Sequence, residues 1–400
     1  MVKIHNIIRQ IAVLGIVAVI AYNVGSNRTT KAINTKGDFD LSLLSTVRAK
    51  LASQYLEKDQ LDDKKQMYGA VAGYVAALGD PYTVFLPPTE NKLSEDDLKG
   101  EFGGVGISLG YKESRLAVMT PLAKTPAEVA GIKANDLIVK IIDKKKNVDK
   151  DTTGISLQEA VSLIRGEIGS EVVLSIYREG FDKPKDFSLV RQTINVPAVE
   201  LAWKEYKGKT FALMTINKFS DKVYEEWPSF VNEVLEKKKE LGSNYGGIAL
   251  DLRNNPGGYL ESSVLVASDF IKDGVVVTQQ ETGGKKTEYK VDPKRKKLLD
   301  DKMVVLINGG SASASEILAG ALHDFKRAKL VGEKSFGKGT VQIPENFSDG
   351  SGIHITIAKW LLPSGKNIHK VGVEPDVEIK WGTDPKSEED LGKVFEEVLK

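Results

Sequence analysis

Near residue 195 the hydrophobic pattern of this chain changes period. From Gly103 onward the apolar runs are short and strand-like: 105–109, 116–119, 137–142, 172–177 and 187–190, separated by glycine, proline and charged turns. Two short helices interrupt them. One is Ala127 to Ala130, closed by Gly131; the other opens with the capping box Ser156-Leu-Gln-Glu159, carries Leu157, Val161 and Ile164, and stops before Gly166. Beyond Val196, strands at 211–216, 247–252, 275–278, 303–307, 329–332 and 354–358 alternate with helical spacing near 223–241, 259–271 and 315–324. A compact module of strands followed by a strand–helix alternation implies two folding units in series, and 400 residues exceed one ordinary core.

The N-terminal part adds further segments. Lys3 and Arg9 precede the apolar run Ile11–Tyr22, which has the form of an export signal. Val19-Ile20-Ala21 reads as a cleavage site, and a retained signal anchor fits as well. Leu41, Leu44, Val47 and Leu51, then Met67, Val71, Tyr74, Val75 and Leu78, repeat at helical spacing until Gly79-Asp80-Pro81 stops them. An acidic stretch around Glu95-Asp96-Asp97 reads as mobile. The expected order is a signal peptide or anchor (1–25), a linker (26–37), a helical region packing with the core (38–98), a strand-rich module (101–192), an α/β domain (196–380) and a helical tail (381–400), the last a candidate dimer contact.

Composition narrows the chemistry. Lys and Arg number 56 against 55 acidic residues, so no global field recruits nucleic acid. The basic run Lys294-Arg-Lys-Lys297 is followed by Asp300 and Asp301 and reads as a solvated loop. With no cysteine and four histidines (His5, His323, His354, His369) lacking metal-ligand spacing, no dedicated zinc site is expected. Gly332–Lys338 fits half of a phosphate loop, but Gly339 stands where a magnesium-binding hydroxyl belongs and Thr340-Val-Gln-Ile continues as a strand.

Two strand ends that feed helices remain. Asp251-Leu-Arg-Asn-Asn-Pro-Gly257-Gly258 and Gly309-Gly-Ser311-Ala-Ser313-Ala-Ser315-Glu316 combine small residues, hydroxyls and free helical N–H groups. Each reads equally as a capped helix start and as a site. A serine nucleophile there needs a base. If one helix runs from Ser313, His323 lies about 15 Å along its axis and fails on geometry; His354 and His369 stay open. Lys338, in a Gly-flanked turn with Gln342 four residues on, is the other candidate, provided burial lowers its pKa; a turn lysine in solvent is the plain alternative.

In this order the motifs resemble the carboxyl-terminal processing, or tail-specific, proteases. Gly79-Asp-Pro-Tyr-Thr83, Gly103-Gly-Val-Gly-Ile107, Thr125-Pro-Ala-Glu-Val-Ala-Gly131, Asp251–Gly258, Ser311–Ile317 and Gly337-Lys-Gly-Thr-Val-Gln342 carry the likeness over about residues 66–378. It implies a multidomain α/β fold: an N-terminal helical segment, a PDZ domain (a β-barrel-like sandwich with two helices) and a protease core of the crotonase or Clp-protease type. It implies Ser313 as nucleophile, Lys338 as general base and Gln342 as its orienting partner. Backbone N–H groups of Ala314, Gly257 and Gly258 would form the oxyanion hole, with Glu316, Asp324 and Ser335 in support. Gly104, Val105, Gly106 and Ile107 match the PDZ carboxylate loop, with Leu157–Arg165 as the other groove wall. Arg165 is either a regulatory contact to the protease domain or a plain C-terminal cap.

The implied substrates are unfolded or C-terminally exposed proteins, with neither nucleic acid nor cofactor involved. The enzyme is expected outside the cytoplasm in a bacterial cell envelope, secreted or membrane-associated through its N-terminal segment, and as a candidate homo-oligomer. Two rival readings are an inactive PDZ scaffold, which binds peptides without turnover, and a Ser–His hydrolase dependent on His354 or His369.

Overall fold

A computed structural model describes residues 40–400, except 123, 156, 296 and 382–386. The expected signal or anchor at 1–25, the linker at 26–37 and the Ser156 cap lie outside the described residues. The chain divides into two compact units, up to Met67 and from Tyr68 to Lys400. The first contains α1 (Ser42–Gln54) and the start of α2 (Asp63–Ala76). Leu43, Leu44 and Val47 of α1 are exposed, and Arg48 pairs with Asp63.

In the second unit, β1 (Val84–Leu86) leads into α3 (Pro88–Lys99). The acidic stretch expected to be mobile is therefore helical. Pro88 pre-sets the first turn, Gly100 ends the helix at φ 73°, and Asp97 is held by two cations described below. A strand-rich module follows: β2 (Glu101–Gly104), β3 (Ile107–Lys112), β4 (Arg115–Pro121), α4 (Pro126–Val129), β5 (Leu137–Asp143), β6 (Val148–Asp151), α5 (Leu157–Ile164), β7 (Glu171–Tyr177), β8 (Lys185–Val190) and β9 (Gln192–Asn195). Strands β3-β4-β5-β7-β8, with β6 on β5, form one antiparallel sheet, and β2 pairs with β9. Val118, Ile141, Leu174 and Ile176 fill its own core. The fully buried Arg191 bonds Asp143 and the carbonyls of Leu163 and Ile164, fixing the end of α5 to the sheet.

The remaining chain builds two sheets. Strands β10 (Val199–Tyr206), β11 (Lys209–Ile216) and β12 (Tyr245–Asp251), with α6 (Lys222–Leu241) and α7 (Leu260–Phe270), open the first. After β13 (Val275–Glu281) and β14 (Lys286–Lys290) come β15 (Met303–Ile307), α8 (Ala314–Asp324), β16 (Lys329–Gly332), β17 (Thr340–Asn346), β18 (Gly352–Leu361), β19 (Val377–Glu378) and α9 (Glu388–Leu399). The order β10-β11-β12-β15-β16-β19 is parallel from β11 onward. The segments at 275–278 and 354–358, read as members of one strand–helix alternation, instead belong to a separate antiparallel sheet, β1-β18-β13-β14 with β17 on β18.

Two surface expectations change. Arg295, in the run read as a solvated loop, reaches the buried Asp269, which also accepts from Trp227. The apolar face of α9, read as a candidate dimer contact, packs on the sheet of its own chain, where Phe395 stacks on Phe211 at 4.5 Å.

Candidate active site

The parallel sheet brings the C-terminal ends of β12 and β15 side by side, and both glycine-rich junctions leave there. They interlock through Asn255. Its side chain bonds Ile216 O and Gly257 N–H, and its carbonyl accepts Ala312 N–H and the Ser315 hydroxyl at 2.9 Å. The Ser311 hydroxyl likewise donates to Leu252 O at 2.8 Å. Ser311 and Ser315 are thus buried braces. Ser313 is different: it caps α8 at φ 56° and ψ −115°, a region non-glycine residues rarely occupy, and lines a cavity of about 650 Å³. Gly257 presses on this turn; a Cβ there would lie 2.7 Å from both Ala312 O and Ser313 Cβ.

Lys338, Gln342, Gly257 and Gly258 line the same cavity. Burial lowers the Lys338 amine pKa, and the negative charges of Asp80 and Glu316 oppose it in part. The Gln342 amide nitrogen donates to Thr340 Oγ1 at 2.9 Å and Thr356 Oγ1 at 3.0 Å. Of the three backbone groups expected to face an oxyanion, that of Gly257 is engaged by Asn255 at 2.9 Å. The N–H groups of Gly258 and Ala314 make no hydrogen bond among the described residues.

Glu316 joins the parts. It is fully buried, and its Oε1 accepts from Ser335 Oγ (2.6 Å) and Gly337 N–H (2.6 Å). Its Oε2 accepts from Ser313 N–H (2.8 Å) and Lys338 N–H (2.9 Å). One carboxylate therefore fixes the backbones of both the candidate nucleophile and the candidate base. Burial pushes its pKa up, against these four bonds. Every partner donates, so the geometry fits the ionised form. Glu316→Gln turns one oxygen into a donor facing donors; it should lower the thermal midpoint by several degrees and kcat/KM by roughly 100-fold, checked by calorimetry and peptidase assay. Asp324, at the other end of α8, accepts from Ser364 N–H at 2.9 Å and lies outside this cluster.

The histidines separate. His323 ends α8 and pairs with Asp376, away from the cavity lining. His354 lines the cavity, its pKa lowered by burial and by Lys338. His369 meets the Tyr82 ring edge-on. Among the described residues no His, Asp or Glu group is placed to hold a metal ion.

Two features escaped the motif reading. Asp80 and Tyr82 stand in sequence as part of the helix stop and of the Gly79–Thr83 motif, with no role attached to either, yet Tyr82 lines the cavity and Asp80 faces Lys338. Asp97 also lines it, with one oxygen bonded to Lys218 and the other accepting from Arg165 at 3.1 Å. Burial raises the Asp97 carboxyl, but Lys218 and then Arg165 overcome it and hold it below the usual range. Arg165 also lies 3.6 Å over the Phe102 ring and borders a second cavity of about 190 Å³, formed by Gly104–Ile107 and α5.

The sequence profile of peptidase family S41 matches residues 210–379. The chain is 36% identical over 342 residues to carboxy-terminal processing protease CtpA of Bacillus subtilis (strain 168), covering 85% of this chain and 69% of that one. It is 36% identical over 375 residues to a probable CtpA-like serine protease of Staphylococcus aureus (strain COL), covering 93% and 71%. Among solved structures, a photosystem II D1 C-terminal processing protease superposes with a TM-score of 0.55 at 30% identity, over 90% of this chain and 93% of the other. Fold and relatives together make this chain a serine peptidase. It belongs to the carboxy-terminal processing proteases of peptidase family S41.

Proposed function

We propose that this protease recognises the C-termini of protein substrates through a PDZ domain at 101–192 and cleaves them with a Ser313–Lys338 dyad. The observation that carries the reading is one cavity lined by Ser313, Lys338, Gln342 and Gly258, with Glu316 fixing the backbone of both dyad members. Neutral Lys338 takes the Ser313 hydroxyl proton as Oγ attacks the scissile carbonyl. The oxyanion is received by the unengaged N–H groups of Gly258 and Ala314. The tetrahedral intermediate collapses, the C–N bond breaks, and the lysine ammonium protonates the leaving amine. Water, activated by the same amine, then hydrolyses the acyl ester. Gln342, whose amide nitrogen is spent on two threonines, has its oxygen left to accept from the Lys338 amine and aim it.

In the PDZ groove, the Val105 and Gly106 N–H groups make no hydrogen bond among the described residues and suit a terminal carboxylate, while Leu157, Val161 and Ile164 offer an apolar wall. Arg165 stands at the lip of this groove and bonds Asp97 at the edge of the cleavage cavity, which favours the regulatory reading of that arginine over a plain cap. The N-terminal segment would deliver the enzyme outside the cytoplasm and associate it with the membrane.

Matched long substrates with free and amidated C-termini test the recognition step. A charge-assisted hydrogen bond contributes about 1.5–3 kcal/mol, so amidation should lower kcat/KM roughly 10- to 100-fold, while a short peptide that reaches Ser313 unaided is unaffected. Equal values for both long substrates would remove the PDZ domain from recognition.

A further inference from the structure

We propose that Tyr82 is a positioning residue for the lysine base, its ring the platform on which the Lys338 ammonium rests. The inference builds on the Ser313–Lys338 reading above. The Lys338 Nζ lies 5.1 Å from the Tyr82 ring centroid, within the roughly 6 Å over which a π face attracts a cation. Among the described residues the carboxylates of Asp80 and Glu316 act on the amine through their charge, without a hydrogen bond to it.

The ring is held from several sides. Tyr82 N–H donates to Asp80 Oδ1 at 3.0 Å, and the Thr83 hydroxyl donates to Asp80 Oδ2 at 2.7 Å. The same hydroxyl accepts Thr356 N–H from β18 at 3.0 Å, which pins the turn to the antiparallel sheet. His369 meets the ring edge-on, with centroids 5.9 Å apart and planes at 64°. Thr356 also accepts from the Gln342 amide, so one network supports the platform and the residue proposed to aim the amine.

The charged and titratable groups that face Lys338 are Asp80 on the same turn as the ring, Glu316 on α8 and His354 on β18. Elsewhere in the cavity lining stand Glu261 and the mutually paired Asp97 and Lys218. Glu316 spends both oxygens on four donors, and Asp80 accepts from Tyr82 and Thr83. Neither carboxylate is therefore a dedicated partner for the amine.

A π face suits the chemistry better than a paired carboxylate would. During acylation the amine becomes an ammonium and must then give a proton to the leaving group. A carboxylate would hold that proton and raise the lysine pKa beyond use. A ring stabilises the cation through its quadrupole and accepts none of its protons strongly, so the donor stays available.

The test compares pH profiles of kcat/KM for wild type, Tyr82→Phe and Tyr82→Leu. Tyr82→Phe keeps the ring and should superimpose on wild type. Tyr82→Leu loses the attraction to the charged amine, so the rising limb should move to lower pH by about half to one unit, with a plateau roughly tenfold lower because the amine is no longer aimed. Should Tyr82→Leu not fold, phenylalanines of increasing ring fluorination at position 82 keep the shape while draining the π face, and should move the limb downward stepwise. An unmoved limb in Tyr82→Leu or across the fluorinated series overturns the inference, as does a loss already complete in Tyr82→Phe, which would assign the role to the hydroxyl. Lys338→Ala runs alongside: activity in that variant sinks the dyad reading itself, whereas an inactive Lys338→Ala with a ring-insensitive limb sinks only the role of Tyr82.

Discussion

Purified Ser313→Ala protein, given an unfolded protein substrate, should lose turnover by at least about four orders of magnitude while its thermal midpoint falls by no more than a few degrees. The activity loss follows from removing the only hydroxyl of the Ser-Ala-Ser-Ala-Ser stretch that lines the cavity. Stability is largely retained because the turn is built by other groups: Glu316 caps the Ser313 N–H, and Asn255 holds Ala312 and Ser315. An N-cap hydroxyl contributes about 1 kcal/mol. The flanking serines should behave oppositely. Ser311→Ala and Ser315→Ala each remove a donor from a buried carbonyl, so each should cost about 1–3 kcal/mol of stability yet keep activity within about tenfold. Turnover retained in Ser313→Ala, with a flanking variant inactive, would mean that the wrong serine attacks.

The strand-to-helix junctions were readable in sequence because small residues and hydroxyls at strand ends leave few other conformations open, and α6, α7 and α8 fall within a residue or so of the helical spacing. Sheet membership was not readable. Apolar runs such as Val275–Thr278 and His354–Ala358 show that strands exist, but their partners depend on long-range register, and both joined the antiparallel sheet. The helix at Pro88–Lys99 was missed because its acidic face looks solvated until Lys218 and Arg165 arrive from 121 and 68 residues away. For the same reason Glu316 was legible only as a helix-start acid: Ser335, Gly337 and Lys338, three of its four donors, lie beyond β16. The family likeness implied an oxyanion role for the Gly257 N–H, and nothing in the motif reveals that Asn255 two residues earlier turns back to take it.

Lys338→Ala should be inactive at neutral pH, with kcat/KM reduced at least about 10³-fold, whereas replacing His323, His354 and His369 together should keep it within about tenfold of wild type. His354 makes this comparison decisive, because it lines the same cavity as Ser313 and its pKa is lowered by burial and by the charge of Lys338, the direction that favours a neutral base. The pH dependence separates the two. A neutral amine is the active form, so log kcat/KM for wild type should rise with unit slope and level off below the ordinary lysine range of about 10.4, in the direction burial dictates. Stability carries the opposite signature of the same shift. With the folded pKa below the unfolded one, the buried amine destabilises the fold; the penalty is fully present below the folded pKa and disappears as pH rises to the unfolded value. Lys338→Met, which keeps the apolar stem and removes the charge, should therefore raise the thermal midpoint near pH 7, and the gain should shrink toward pH 10. A folded triple-histidine variant without activity, together with a Lys338→Met protein no more stable than wild type at neutral pH, would transfer the role of base from the lysine to a histidine.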